Sequence, residues 1–159
     1  MSAAFILKKG LVFMVGVIIT GHNLFSSGLK SSLEMVGGKQ DNLINVDFPD
    51  GQGETEIMEN LQKAVADLDS CDYIVICCDL MGGTPFKMSA TLAVSNPKVK
   101  VLFGVNLGMM LEFVLQRDFI DEDMDTYLNG LVERGKSAVG KFEYVEYEEE
   151  DDDDFSDGL

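Results

Sequence analysis

The stretch that decides the fold is Val15-Gly16-Val17-Ile18-Ile19-Thr20-Gly21-His22-Asn23. It is a run of apolar, mostly β-branched residues that stops at a Gly-His-Asn turn, and a helix pattern starts directly after it. A continuous apolar run is typical of a parallel strand that is covered on both faces. Ligands and chemistry gather at the carboxyl ends of the strands in an open parallel sheet. His22 is the only histidine of the chain, and its place at this strand end makes it a candidate for carrying a chemical group.

Strand and helix patterns alternate along the rest of the chain. The predicted strands are Met14–Thr20, Leu43–Phe48, Tyr73–Cys78 and Val99–Val105. The predicted helices are Leu24–Val36, Glu54–Leu68, Phe86–Val94, Leu107–Gln116 and Met124–Ala138. This alternation predicts an α/β fold with a doubly wound, mostly parallel four-stranded sheet and helices on both faces. A final aromatic segment, Phe142–Tyr147, is β-prone and predicts an extra strand at a sheet edge or in a subunit contact.

The composition fits one domain with a core of its own, because 46% of the 159 residues are hydrophobic. The net charge is −16, and residues 141–159 hold ten acidic residues against one basic residue. The sequence does not predict binding to nucleic acid, because a protein neutralises nucleic-acid phosphates with clustered Lys and Arg. Cys71, Cys77 and Cys78 show no metal-ligand spacing and predict reduced, buried thiols in a cytoplasmic protein. We expect no metal and no cofactor.

Both ends of the chain are expected to lie outside the folded domain. The apolar stretch from Gly10 to Gly21 is too short to span a bilayer, which takes about 20 residues, and it lacks the cleavage site of a secretory signal. We expect residues 1–13 to be an N-terminal extension, with Met14 as an alternative start. Residues 14–147 should form the folded domain, and residues 148–159 an acidic disordered tail.

Three loops leave the carboxyl ends of the first, third and fourth predicted strands, and the fold places them on one edge of the sheet. They are Gly21-His22-Asn23, the segment from Asp79 to Phe86, and Gly104-Val105-Asn106. In the second loop, Thr84 is predicted to be a helix N-cap and Pro85 the first helical residue.

The second loop has the features of a phosphate-binding turn. Gly82 and Gly83 let the backbone approach an anion and point its N–H groups at it, and a helix N-terminus adds roughly half a positive charge. Asp79 could accept a hydrogen bond from one ring nitrogen of His22, which would leave the other nitrogen nucleophilic. Each feature alone has a plainer explanation as a polar loop residue, a helix start or a strand-end cap. Their combination favours phosphoryl transfer to histidine.

These motifs, in this order and at these spacings, resemble the IIA component of the mannose family of the bacterial sugar phosphotransferase system. The resemblance runs from about Met14 to Ala138. It is carried by Thr20-Gly21-His22, Asp79, Gly82-Gly83-Thr84-Pro85-Phe86 and Gly104-Val105-Asn106-Leu107. It implies a phosphotransferase with a phosphohistidine intermediate. His22 would take a phosphoryl group from the phosphocarrier protein HPr and pass it to a IIB component, with membrane IIC and IID components acting downstream in sugar uptake.

The resemblance also implies roles for the residues around His22. Asp79 would orient the histidine, and the phosphoryl group would be bound by Gly21, Asn23, Gly82, Gly83 and Thr84. Many members of the family have glycine where this chain has Asn23. Asparagine tolerates a left-handed backbone, so the turn could persist, and its amide could touch the phosphoryl group.

Two further expectations follow from the resemblance. The family is dimeric, with an antiparallel strand exchanged between subunits, so we expect a homodimer in which Phe142–Tyr147 is the exchanged strand. Asp47-Phe48-Pro49 and the segment from Asp79 to Lys87 are more similar to the N-acetylgalactosamine/galactosamine branch than to the mannose branch.

Alternative functions remain open at this point. One is the phosphotransfer subunit of a dihydroxyacetone kinase, against which the Gly82–Phe86 segment argues. Another is a non-catalytic binding module whose acidic tail recruits a basic partner, and in that case His22→Ala should leave partner binding intact. A response-regulator receiver, with Asp79 as phosphoacceptor, would need an acidic pair after the first strand to hold Mg²⁺, and this chain has Thr20-Gly21-His22 there.

Overall fold

The computed structural model describes residues 12–146 of the chain. The predicted acidic tail lies outside the described residues, as does the predicted N-terminal extension apart from Val12 and Phe13. Phe13 packs edge-on against Tyr73, with 5.3 Å between the ring centroids. Within residues 12–146, no helix is long and apolar enough to cross a membrane.

Four parallel strands form one sheet. They are β1 (Val15–His22), β2 (Leu43–Phe48), β3 (Tyr73–Cys78) and β4 (Val99–Phe103), and they lie in the order β2-β1-β3-β4. The chain builds β2 on one side of β1 and then places β3 on the other side. The strand order therefore reverses between β1 and β3, and the carboxyl ends of these two strands flank the crevice in which such folds bind ligands.

Among the described residues, five helices cover the sheet, and a short 3₁₀ turn, Arg117–Phe119, separates the last two. The helices are α1 (Phe25–Gly37), α2 (Glu54–Asp67), α3 (Thr84–Ser95), α4 (Leu107–Gln116) and α5 (Met124–Ser137). The predicted fold class is confirmed. One cluster of buried side chains joins the sheet to α1, α4 and α5, and a second joins it to α2 and α3. Ile19 belongs to the first cluster and Ile18 to the second, so β1 is covered on both faces, as its apolar run predicts.

Three predicted boundaries differ from the structure by two residues, for identifiable reasons, and the others differ by one residue or none. β1 continues through His22, because Gly21 and His22 still pair with Asp47 and Phe48 of β2. β4 ends at Phe103, because Gly104 has a φ of +67°, which an extended strand does not adopt. α3 starts at Thr84, two residues before Phe86, because the backbone is helical from the residue after the N-cap, ahead of the apolar stripe that marks the helix in the sequence.

The predicted strand Phe142–Tyr147 is not part of this chain's own sheet. Residues 142–146 pair with no strand in the described part of the chain, and Tyr147 lies outside it. Phe142, Tyr144 and Val145 expose most of their surface. An extra strand, if it forms, therefore requires a partner other than the sheet of the same subunit.

Candidate active site

His22 and Asp79 meet at the reversal point of the sheet. The register pairs Thr20 of β1 with Cys78 of β3, so the residues that follow these two positions lie side by side. The Asp79 Oδ2 atom accepts a hydrogen bond of 2.8 Å from the His22 backbone N–H and one of 2.7 Å from the His22 ring nitrogen Nδ1. Its other oxygen, Oδ1, accepts from the Leu80 N–H at 2.8 Å. The structure thus contains the contact that the sequence predicted.

These hydrogen bonds determine which ring nitrogen is available. Burial alone would raise the pKa of Asp79, but the hydrogen bonds from His22 and Leu80 outweigh it and lower that pKa below its ordinary value. Asp79 is therefore an ionised acceptor at neutral pH, and Nδ1 must carry the proton that it donates. In the neutral ring this leaves Nε2 with a free lone pair. The His22 side chain is 47% exposed, so the ring is accessible to a group on another protein.

Two glycines make room for the imidazole and its carboxylate. A β-carbon at Gly83 would lie 2.6 Å from the His22 Cε1 atom, and one at Gly21 would lie 2.8 Å from the Asp79 Cγ atom. At both distances an added β-carbon would force the neighbouring side chain to move, so glycine at these positions allows the observed placement of His22 and Asp79. Sequence reasoning assigned Gly21 and Gly83 to phosphate binding alone. Their packing against His22 and Asp79 was missed, because a close approach between residues distant in sequence leaves no local signal.

The start of α3 differs in detail from the prediction. Gly83 is the N-cap, Thr84 is the first helical residue and Pro85 the second. Thr84 is therefore not the cap that the sequence predicted, because the backbone leaves the helical conformation one residue earlier, at a φ of −71° and a ψ of 166°. Gly82 has a φ of +84°, which is the left-handed conformation that glycine adopts without cost. The turn thus puts Gly83 against His22 at the first turn of α3.

Of the four helices that begin at this edge of the sheet, α3 is the one that has neither a side-chain acceptor for its first N–H groups nor an acidic residue in its first turn. Asp47 accepts from Ser27 at the start of α1 and Asn106 from Met109 at the start of α4, and α2 has Glu54 and Glu56 in its first turn. α3 has no side-chain cap bond and no acidic residue in its first turn. Its free N–H groups and its helix dipole can therefore attract an anion.

The loops contribute unequally to the site. Asn106, in the third predicted loop, is engaged elsewhere, since it caps α4 and donates a 3.0 Å hydrogen bond to the Gly135 carbonyl. Asn23 adopts a φ of +52°, so the left-handed turn persists without glycine. A surface cavity of about 270 Å³ beside His22 is lined by Asn23 and residues 48–52. Sequence reasoning missed this loop after β2, although its Pro-Asp-Gly turn marks a fourth strand end at the same edge.

Within residues 12–146, no group of three or more His, Cys, Asp and Glu side chains is placed to hold a metal ion.

Comparison with protein families gives a match over most of the chain. A family model described as the PTS system fructose IIA component, of the EIIA-man type, matches residues 16–129. The fructose-specific EIIA component of Bacillus subtilis is 33% identical over 107 residues, which cover 67% of this chain and 73% of that protein. The mannose-specific EIIAB component of Escherichia coli K12 is 28% identical over 125 residues, 79% of this chain but only 38% of that protein's length.

Solved structures with the same fold come from related systems. The EIIA component of Streptococcus agalactiae superposes with a TM-score of 0.73 at 32% identity, covering 80% of this chain and 97% of that one. A mannose/sorbose-specific IIA subunit of Enterococcus faecalis superposes with a TM-score of 0.76 at 21% identity, covering 85% and 99%. The second likeness concerns the fold alone.

Proposed function

The chain belongs to the mannose-type EIIA family of the sugar phosphotransferase system, whose members are phosphoryl carriers in sugar uptake, and we propose that its phosphoryl group is carried on the Nε2 atom of His22. The observation that carries the proposal is the hydrogen bond between His22 Nδ1 and Asp79, which leaves Nε2 as the free ring nitrogen of a side chain that is 47% exposed. The named relatives are sugar-system components, so neither the dihydroxyacetone kinase subunit nor the binding module is favoured.

The transfer is a displacement at phosphorus. The Nε2 lone pair attacks the phosphorus atom of phosphorylated HPr, a P–Nε2 bond forms, and the bond from phosphorus to the donor breaks with its electron pair left on the donor. His22 keeps its Nδ1 proton throughout, so the phosphorylated ring carries a positive charge. The ionised Asp79 carboxylate, 2.7 Å from Nδ1, stabilises that charge. The same steps in reverse, with a IIB component as acceptor, release the phosphoryl group.

The open N-terminus of α3 supports a place for the phosphoryl oxygens. In our proposal the N–H groups of the Gly82-Gly83-Thr84 turn donate to them, and the Thr84 hydroxyl, which does not cap the helix, is a further donor. We also propose the Asn23 amide as a donor, at a position where many members of the family have glycine. Gly21 allows Asp79 to approach closely, and its contact with the phosphoryl group stays a prediction.

The proposal places the chain between soluble partners. HPr is the donor and a IIB component is the acceptor, and membrane IIC and IID components complete sugar uptake. The buried free thiols Cys71, Cys77 and Cys78 are in keeping with a cytoplasmic location. The relatives cited above are named for fructose, mannose and sorbose, so the N-acetylgalactosamine preference remains a prediction.

We also propose that the chain forms a homodimer by strand exchange. β4 is an edge strand of the sheet, with Phe103 half-exposed on it. An unpaired edge is a template for another strand. The segment that begins at Phe142 carries exposed aromatic side chains and has no strand partner among residues 12–146. Pairing between this segment and the β4 edge of a second subunit would cover both.

The experiment that tests the carrier function is labelling with radioactive phosphoenolpyruvate, enzyme I and HPr. Wild type should acquire an acid-labile, alkali-stable phosphate, which is the behaviour of a P–N bond, and should lose it when a IIB component is added. Because His22 is the only histidine of the chain, His22→Ala should remain unlabelled, with circular dichroism confirming that it is folded. Equal labelling of His22→Ala would eliminate the proposal.

A further inference from the structure

The end of β2 holds the chain on the far side of His22 from Asp79. Asp47 is the residue involved: one of its carboxylate oxygens accepts from the Ser26 hydroxyl and, at 3.0 Å, from the Ser27 backbone N–H. The other accepts from the Ser27 hydroxyl, which itself accepts a 3.1 Å hydrogen bond from the Asn45 amide. A single carboxylate on β2 thus takes three hydrogen bonds from the first turn of α1.

α1 has no cap of its own. Its N-cap residue is Leu24, which has no side-chain oxygen, and no side chain of the preceding turn accepts a hydrogen bond from the helix. A missing N-cap leaves a helix start prone to fray. Asp47 supplies the cap from a neighbouring strand. Burial by itself would raise the pKa of Asp47, but the hydrogen bonds from Ser26 and Ser27 outweigh it and lower that pKa, so the cap is ionised at neutral pH.

α1 starts at Phe25, three residues beyond His22, and Asn23 between them is held by the same strand. The Asn23 N–H donates to the Phe48 carbonyl at 2.8 Å, and the Phe48 N–H donates back to Asn23 at 3.3 Å. Gly21 and His22 pair in register with Asp47 and Phe48. The backbone of His22 is therefore clamped before and after the residue, and its left-handed exit through Asn23 leads directly into the segment that Asp47 fixes.

We propose that Asp47 is a positioning residue for phosphoryl transfer, which fixes the first turn of α1 and thereby the turn that aims the His22 ring at its protein partners. The proposal rests on the proposed carrier function of His22. Asp79 sets the tautomer and one side of the ring, and Asp47 sets the path of the chain on the other side. Asp47 touches neither the ring nor the phosphoryl group.

The chain offers a matched control for an ordinary capping role. Asp123 caps α5, where its carboxylate accepts a 2.9 Å hydrogen bond from the Thr126 N–H. It too has a lowered pKa, through its hydrogen bonds to Thr126. α5 follows α4 and the 3₁₀ turn, and so begins at the opposite edge of the sheet from His22. If capping were the whole role of Asp47, the two residues would be equivalent in every measurement of transfer.

The experiment compares Asp47→Asn with Asp123→Asn in steady-state phosphoryl transfer from phosphorylated HPr. Asparagine at position 47 replaces one acceptor oxygen with an NH₂ group, which cannot accept the hydrogen bond that the Ser27 hydroxyl donates to Asp47, so that bond and the negative charge are lost while the side-chain shape is kept. We expect kcat to fall by roughly ten- to a hundredfold with KM for the donor unchanged, as for a misplaced reacting group. Asp123→Asn should keep the wild-type kcat. Both rates are corrected for the folded fraction measured by circular dichroism.

A second variant and a second readout keep the test decisive if Asp47→Asn does not fold. Ser27→Ala removes one donor from the same carboxylate and should lower kcat in the same direction, with the His22 Cε1–H resonance shifted or broadened in its NMR spectrum. Equal kcat values for the variants at 27, 47 and 123 would overturn the inference, and so would a rise in KM with kcat unchanged. If wild type is labelled by phosphorylated HPr and the variants give those results, only the role of Asp47 is refuted. If wild type is not labelled, the carrier function of His22 is refuted as well.

Discussion

Gly83→Ala tests the geometry of the site with the smallest possible change. The added β-carbon would lie 2.6 Å from Cε1 and 3.2 Å from Nε2 of His22. Carbon atoms in contact normally stand about 3.5–4.0 Å apart, so the ring would have to move by about 1 Å. The backbone gives no relief, because the φ of −71° and ψ of 166° at Gly83 are ordinary for alanine.

The displaced ring cannot keep both its 2.7 Å hydrogen bond to Asp79 and its aim at the partner. A misplacement of about 1 Å costs roughly a hundredfold in rate, which is about 2.7 kcal/mol of activation free energy. The free energy of unfolding should change much less. Alanine is a poorer N-cap than glycine, which should lower the free energy of unfolding by several tenths to about 1 kcal/mol. The reduced entropy of the unfolded chain should raise it by about 0.4–1 kcal/mol, so the two effects largely cancel.

The assay is the rate at which phosphorylated HPr labels the variant, measured by rapid quench, beside a urea unfolding curve. The matched control is Gly28→Ala in α1, where nothing lies within 4 Å of the added β-carbon. That variant should gain up to about 1 kcal/mol of stability, since alanine is the better helix former, and should transfer at the wild-type rate. A Gly83→Ala protein that also transfers at the wild-type rate would refute the close approach of Gly83 to His22.

Three further predictions concern Asp79, acid stability and assembly. Asp79→Asn removes the charge that holds Nδ1–H, so we expect transfer to slow by roughly tenfold or more in a chain that stays folded by circular dichroism; an unchanged rate would remove Asp79 from the mechanism. The lowered pKa of Asp79 implies stability that is present above the ordinary value of 3.8 and lost as pH falls through the folded pKa. Urea unfolding of wild type should therefore show a steeper loss below about pH 4 than that of Asp79→Asn, and parallel curves would contradict this. Phe142→Glu with Tyr144→Glu should sediment as a monomer while Met35→Glu, equally exposed on α1, sediments as a dimer; a monomeric wild type would exclude strand exchange.

The elements of the fold could be read from the sequence because each has a local cause. Leu43–Phe48, Tyr73–Cys78 and Leu107–Gln116 have the predicted bounds at both ends, and in each an apolar run is closed by Pro, Gly or polar residues. The predicted boundaries were wrong where contacts with another part of the fold set the end of an element. β1 runs on to His22 because β2 is there to pair with it, and Thr84 lost its cap position to Gly83 because the cap is set by where the backbone becomes helical.

The site was only partly predictable. His22, Asp79 and the glycines of the α3 turn are marked by their positions after strands, and the structure brings them together. No local sequence signal indicated the role of Asp47 or of the loop after β2. Asp47 reads as a polar residue inside a strand, and its function as the cap of α1 exists only because β2 lies beside β1.

The sequence by itself determined that a single histidine ends a buried strand and that an acid and a glycine-rich helix start follow another, since hydrophobic period and turn chemistry are local properties. The tertiary structure alone decided that these features form one site. His22 and Asp79 are separated by 57 positions along the chain, and they meet because the strand order reverses and sets β1 beside β3. That order is chosen by the burial of both sheet faces under five helices, a property of the whole chain that no segment of it contains.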